Sequence, residues 1–458
     1  MAGKFFDWYS WGLTFFIVLG LIVSLFCFGI SNWGLIDVGL SWGGYLCFDM
    51  IGGFLSLLSI LLGCSVYCMW SVISIRSFIF VLLSILFSVF SFLCCHAVVF
   101  WVCYELSILF LLFLLVSESP YSERYTAAWY LVGYVGVLWA FYFIFIIFVS
   151  FRVSILSTIY GCLVFGSIRG FDEAPYVTFD SVLVGGNWSY SMLSWSLDSD
   201  SVVILMLLGV LFVTKVPVPP FHVWLPIVHA EAESVVSVCL SGYIMKLGLL
   251  GVCRFCSNIL PGGLFCESYV VVGFSMSLIF FLCACRELDG KRWLAFLSLS
   301  HILIVVVCLS CSSFIGGGLA FYYSLAHGLS AGLIFILLWW CYEVCGSRNW
   351  FLIKTVMGGS LFNRLIVCLS LCSAASLPPT VQFFSEVFIL FEVGSFSMCI
   401  FSIFCFYLFV SSLIPFFLLG GLVTRHTSVN LLEITNYDCL VVGILFICLF
   451  SVILFVLV

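Results

Sequence analysis

Six ionisable side chains stand in runs of residues that are otherwise apolar: Glu105, Lys215, Lys246, His301, His327 and Glu386. Burying such a group deep in an apolar span costs several kcal/mol, so each is read first as a functional site with a partner. Glu105 sits in Trp101-Val102-Cys103-Tyr104-Glu105-Leu106-Ser107-Ile108-Leu109, and Lys246 in Gly242-Tyr243-Ile244-Met245-Lys246-Leu247-Gly248. Lys215 is followed by Pro217, Pro219 and Pro220, and Glu386 comes seven residues after the Pro378-Pro379 pair. Proline removes a backbone donor and leaves a carbonyl unpaired about one turn earlier, which is tolerated at membrane depth only beside protein, water or an ion path. Broken helices beside Lys215 and Glu386 therefore look like the discontinuous helices of transporters. Two acids and two amines spread over four helices pass protons when neutral relays link them. His301 and His327 suit that linking, because an imidazole accepts a proton on one nitrogen while donating from the other.

Each group also has a plainer reading. The carboxylates and amines form static salt bridges that pin helices together, and the histidines are a hydrogen-bonded core pair. Axial haem ligation is a third reading for the histidines, but b-type cytochromes pair histidines within one helix at repeated spacing, and no such repeat occurs here.

The elements that must position these groups follow from composition. A chain of 458 residues that is 64% hydrophobic and 8% charged cannot hide its apolar surface in a soluble core, since soluble domains carry about a quarter charged residues. Lipid is the solvent. Runs of about 20 apolar residues, each able to cross roughly 30 Å of hydrocarbon, lie near 8–30, 48–70, 77–95, 97–116, 125–150, 201–224, 230–254, 265–285, 291–311, 314–342, 360–392, 398–420 and 438–458. The runs are continuous rather than alternating, which excludes a spanning β-barrel. The expected fold is an all-α polytopic membrane protein of about thirteen transmembrane helices, two of them broken by proline, forming a single transmembrane domain over 1–458.

The stretch 151–168 is only moderately apolar and carries Arg152 and Arg169 at its ends. With 151–200 kept out of the membrane, Lys4, Arg76, Arg124, Arg286, Lys291, Arg292, Arg348, Lys354, Arg364 and Arg425 fall on one side, opposite Arg152, Arg169 and Arg254. That is the asymmetry of the positive-inside rule.

Other function classes find no support. The net charge of −6 and the lack of a basic run exclude nucleic acid as a partner. Cys253/Cys256 and Cys308/Cys311 have CxxC spacing but lie in apolar runs without His or acidic neighbours, so no metal site is expected. There is no phosphate-binding glycine loop, nucleotide fingerprint or catalytic triad. The abundance of Phe (51) and Cys (24) beside few Pro (10) and His (6) fits a coding strand rich in T and G, as in an organellar gene. No cleavable leader is expected, because the apolar run after Asp7 is long enough to span.

One pair of motifs is more specific. His222-Val223-Trp224-Leu225-Pro226-Ile227-Val228-His229-Ala230-Glu231-Ala232, followed by Lys246-Leu247-Gly248-Leu249-Leu250-Gly251-Val252-Cys253-Arg254, resembles the antiporter-like subunit 4 family of mitochondrial NADH:ubiquinone oxidoreductase, respiratory complex I. Subunits 2 and 5 resemble it less well after the Trp-Leu-Pro. Tyr104-Glu105-Leu106, Glu123-Arg124, Lys291-Arg292 leading to Ser300-His301, His327-Gly328-Leu329 and Leu377-Pro378-Pro379 ahead of Glu386 add to the resemblance, which covers 95–395. Family members usually carry Pro where this chain has Glu233, and they have a further N-terminal span.

The resemblance implies an antiporter-like fold and a proton-translocating subunit of the membrane arm. Glu105 would pair with Lys215, Lys246 would be the central site, and His301 and His327 would connect it to Glu386 on the exit side. The basic side would be the matrix, and 151–200 would face the intermembrane space. NADH, flavin, iron–sulfur clusters and ubiquinone would be bound by other subunits and no cofactor by this chain. Its partners would be antiporter-like subunits 2 and 5, accessory subunits and lipids, in the mitochondrial inner membrane. A subunit of a multisubunit cation/proton antiporter is the alternative, since it shares the fold and the charged residues.

Overall fold

Hydrocarbon holds no water to satisfy exposed backbone groups, so apolar runs cross it as helices, which satisfy their own. The structure, a computed structural model, describes residues 40–42, 46–48, 50–69, 72–94, 97–134, 206–207, 209–256, 264–311, 314–357, 361–423 and 438–454. Among these residues eight helices are long and apolar enough to cross a bilayer, joined by the shorter apolar helices Leu361–Ala374 and Leu440–Ile453. The chain is a multi-pass all-α membrane protein. The exception is a small ladder in which β1 (Leu40–Trp42) pairs antiparallel with β2 (Leu46–Phe48).

The helices run in chain order α1 (Met50–Cys68), α2 (Ile75–Leu93), α3 (Ala97–Ser117), α4 (Trp224–Glu231), α5 (Ser234–Cys239), α6 (Met245–Phe255), α7 (Glu267–Arg286), α8 (Gly290–Ser310), α9 (Phe314–Cys345), α10 (Trp350–Met357), α11 (Leu361–Ala374), α12 (Val381–Phe396), α13 (Met398–Val423) and α14 (Asp438–Ile453). A π-helical turn, Leu240–Ile244, joins α5 to α6. The interior is clear from burial. The span Ser234–Arg254 is 100% buried and Gly290–Ser310 94%, against 28% for Met398–Val423, which turns Phe406, Phe409 and Phe417 outward. Buried serines are satisfied within their own helices: Ser88, Ser91 and Ser107 donate to the carbonyls of Ile85, Ser88 and Tyr104, each at 2.7 Å.

Both expected breaks are present. Helical structure at 209–213 gives way to turns over 214–223 before α4 begins, and Lys215 stands in that gap. The run expected at 360–392 is two helices, α11 and α12, separated by turns at 375–380. Ser376 takes a left-handed backbone there (φ 53°), a conformation that most side chains avoid. One long helix exceeds expectation: α9 runs 32 residues, past 342 to Cys345. The spans expected at 8–30, most of 125–150 and the start of 201–224 lie outside the described residues, as do 151–200, Lys4, Arg152, Arg169 and Arg425.

Several of the described cations are anchored on backbone carbonyls. Arg124 donates to Ser119 O at 2.9 Å, Lys291 to Ala232 O at 2.7 Å and Lys354 to Gly421 O at 2.8 Å. Arg254 lies at the far end of the Ser234–Arg254 span, donating to Cys94 O at 2.6 Å.

Candidate functional site

Three groups of buried polar side chains occupy the helix breaks and the interior helices. In the first, Lys215 Nζ lies 3.6 Å from Glu105 Oε1 and 5.1 Å from the ring centre of Tyr104. The Tyr104 ring is stacked on Phe100 at 6.1 Å, which fixes its face toward the ammonium. The Lys215 break packs directly on α6, and the two glycines of the Lys-Leu-Gly-x-x-Gly motif explain how. A Cβ on Gly248 would come 2.9 Å from Phe212 O and 3.0 Å from Lys215 Cβ, and one on Gly251 would meet the Phe212 ring at 2.5 Å. Only glycine admits the break this close to the helix that carries Lys246.

The second group centres on Lys246, which follows the π-helical turn. The turn shifts backbone bonding to an i→i−5 pattern, with Met245 N donating to Leu240 O, and the Lys246 ammonium donates to the neighbouring Ser241 carbonyl. Lys246 Nζ also stands 3.3 Å from His327 Nδ1. A Cβ on Gly328, next to His327, would lie 3.1 Å from Gly242 O, so this small residue lets α9 approach the π turn. His327 and His301 face each other with ring centres 5.6 Å apart. Two phenols then converge on His301 Nδ1, Tyr407 at 2.6 Å and Tyr323 at 3.1 Å. A single ring nitrogen offers one lone pair or one proton, so the two phenols share one site on it.

The third group surrounds Glu386. Ser376 Oγ donates to Glu386 Oε1 at 2.9 Å, and Gln382 Nε2 donates to the same oxygen at 3.2 Å. Gln382 Oε1 in turn accepts from Ser330 Oγ at 2.7 Å, which ties α12 to α9 three residues after His327.

The structure thus brings Glu105 to Lys215, and Lys246 to His327 and His301, while Glu386 forms its own cluster reached through Ser330 and Gln382. Several participants escaped the sequence reading. Tyr323 and Gln382 sit four residues before His327 and Glu386, a helical spacing that was available as a signal. Tyr407 is a lone phenol in an apolar run, and tertiary packing alone brings it to His301. His229, read only as part of a motif, is fully buried against Phe335 at 4.8 Å, and neither ring nitrogen has a hydrogen-bond partner among the described residues.

Glu233 stands where the family usually carries proline, yet its backbone is ready for one. Its φ and ψ are −55° and 151°, and Ala232 before it is extended at −75° and 147°. Its N–H donates to no backbone carbonyl among the described residues, and its Oε2 is buried without a partner. Glu233→Pro is therefore expected to stabilise the chain by about 0.4–1 kcal/mol through the unfolded state, seen as a raised Tm in detergent; a lowered Tm contradicts this. Burial, with Glu118 adding to it, pushes the Glu233 carboxyl up from 4.5 to about 7. A carboxyl raised by folding costs stability as pH rises from its unfolded to its folded value, so the gain from proline should grow between pH 4.5 and 7 and then level.

Residues 95–415 match the model of the NADH:quinone oxidoreductase/Mrp antiporter transmembrane family. NADH-ubiquinone oxidoreductase chain 4 of Ascaris suum is 25% identical over 300 residues, covering 64% of this chain and 62% of that one. The chain thus spans less than two thirds of that relative's length. Among solved structures, respiratory complex I from Thermus thermophilus with bound NADH contains a chain that matches with a TM-score of 0.70 at 18% identity, covering 95% of this chain and 90% of that one. The Mrp complex from a Dietzia species matches with a TM-score of 0.70 at 14% identity, covering 98% and 88%. The fold is therefore shared at a level where few side chains are. The family match covers most of the chain and includes all three polar groups, and this chain belongs to the NADH:quinone oxidoreductase/Mrp antiporter transmembrane family.

Proposed function

We propose that the chain is a proton-translocating, antiporter-like subunit of the membrane arm of mitochondrial respiratory complex I, moving protons as NADH:ubiquinone electron transfer proceeds elsewhere in the complex. The observation that carries this reading is the file of buried ionisable groups, Glu105–Lys215, Lys246–His327–His301 and Glu386, set at two helix breaks and a π turn. A structural scaffold needs no such file, since each buried charge costs free energy that apolar packing would save.

In this reading Lys215 leaves or approaches Glu105, and the field at Lys246 changes with it. Lys246 gives its proton to His327 Nδ1, the ring nitrogen at 3.3 Å and the one that a hydrogen bond joins to it among the described residues. His301 takes it onward, with the phenols of Tyr323 and Tyr407 as neutral donors and acceptors on its far side. Glu386 receives it at the second break and passes it out. The basic end of the bundle faces the matrix. Antiporter-like subunits and lipids are the neighbours, the inner membrane is the location, and NADH, flavin, iron–sulfur clusters and ubiquinone are held by other subunits.

A second reading, a subunit of a Mrp-type cation/proton antiporter, is favoured by the equal TM-score of 0.70 to the Mrp complex. The names of the relatives and the organellar composition favour complex I. Native electrophoresis of solubilised mitochondrial membranes separates the two. The chain is expected to migrate with NADH dehydrogenase activity; migration in a large complex devoid of that activity contradicts the complex I reading and leaves the antiporter.

A further inference from the structure

The last carbonyls of a helix have no partner within it and carry the negative end of its dipole. At the end of α4 these carbonyls are met by side chains from other elements. Ser119 Oγ donates to Glu231 O at 2.5 Å, Lys291 Nζ donates to Ala232 O at 2.7 Å, and the Arg348 guanidinium donates to Ala230 O. Three successive carbonyls are thus held from the α3 end, from the first turn of α8 and from the α9–α10 connection.

The donors are themselves held. Arg348 pairs with Asp289 at 3.3 Å, and Asp289 caps α8 by accepting from Lys291 N at 3.0 Å. Gly290 N donates to Arg348 O at 2.9 Å and Trp350 N to Leu288 O at 3.2 Å, so the two connections form one backbone unit. The ring of Tyr121 lies 4.1 Å from the Arg348 guanidinium and 5.4 Å from the Lys291 ammonium. Burial pushes its phenol up to about 12, with Arg348 acting against that rise, so the ring stays neutral between the two cations.

The position of this assembly matters more than its size. Ser119 follows α3, the helix that carries Glu105, roughly 20 Å along its axis. Helix α4 follows the break that carries Lys215. The two elements that bear the Glu105–Lys215 pair are therefore joined twice, once through the pair at 3.6 Å and once through Ser119 and Glu231. A half-helix fixed at its far end leaves only the break itself free to carry Lys215 toward or away from Glu105.

We propose that Ser119, Lys291 and Arg348 form a carbonyl clamp on the end of α4 that positions the Lys215 break against Glu105. This rests on the proton-path reading above. The three are positioning residues that touch no group of the path directly. Arg348→Met and Lys291→Met remove the cationic donors at nearly constant length, and Ser119→Ala removes one hydroxyl.

The test uses the assembled complex in its native membrane, with two readouts: amide hydrogen exchange across 224–233, and NADH-driven proton uptake per assembled chain. Each variant is expected to exchange about tenfold faster in this segment, the factor that about 1.4 kcal/mol represents, and to lose about fivefold or more in proton uptake. Glu105→Gln, run alongside, should lose uptake while its exchange in this segment stays unchanged. Unchanged exchange in the clamp variants overturns the proposal, and so does faster exchange with normal uptake, which would make the clamp a structural clasp only. Should Arg348→Met fail to accumulate, Ser119→Ala must show both changes, or the proposal falls. Normal uptake in Glu105→Gln instead sinks the proton-path reading, which separates the two failures.

Discussion

Glu105→Gln is expected to cut proton uptake through this subunit by about tenfold or more while leaving the complex assembled. The amide keeps the size and the hydrogen-bonding reach of the carboxylate but loses its charge. Lys215 then has no anion 3.6 Å away to hold or release its ammonium, and the switch proposed for it is gone. Assembly should survive, because the Tyr104 ring, 5.1 Å from the ammonium, remains as a partner. If the pair were a static pin, removing one partner from a buried ion pair would cost about 3–5 kcal/mol and assembly would fall with it. Native electrophoresis beside the uptake measurement decides between these outcomes. Normal assembly with normal uptake would contradict both.

Lys246→Ala should be as severe, for a different reason. The ammonium is the group between the Lys215 break and His327, and alanine leaves His327 Nδ1 without its donor at 3.3 Å. No other described side chain hydrogen-bonds to that nitrogen. The Ser241 carbonyl loses the donor that the π turn presents it to as well. Uptake in sealed vesicles, normalised to assembled complex, should fall at least about tenfold, the factor of 1.4 kcal/mol in a barrier, while NADH oxidation in the presence of an uncoupler persists. Retained uptake would show that protons pass by another route.

What could be read from the sequence follows a physical line. An ionisable residue in an apolar run is conspicuous because it is costly there, so Glu105, Lys246 and Glu386 stood out without any structure, and proline marked both breaks. The apolar runs located the helices for the same reason. The π turn before Lys246, Leu240–Ile244, carries no proline to mark where the bonding pattern changes. Gly248 and Gly328 were visible as motif residues, but their purpose, close approach of the Phe212–Val216 break and of the Gly242 carbonyl, exists only in three dimensions. Tyr407 is more than a hundred residues from His301 in the chain, and no spacing rule joins them. Carbonyl donors such as Lys291 and Arg348 read as ordinary basic-side charges until the end of α4 is seen beneath them.

The proposed uptake and release of a proton by Lys246 in every cycle is tested most directly by Lys246→Arg. Arginine keeps the positive charge and can reach the Ser241 carbonyl and His327, so a static role is preserved. A guanidinium hardly ever gives up its proton in a protein, so a titrating role is lost. The measurement is NADH-driven proton uptake into sealed vesicles, per assembled complex. Lys246→Arg is expected to assemble normally and pump as poorly as Lys246→Ala; uptake at the normal rate would mean that Lys246 is a fixed charge and that the buried file pins helices rather than carrying protons.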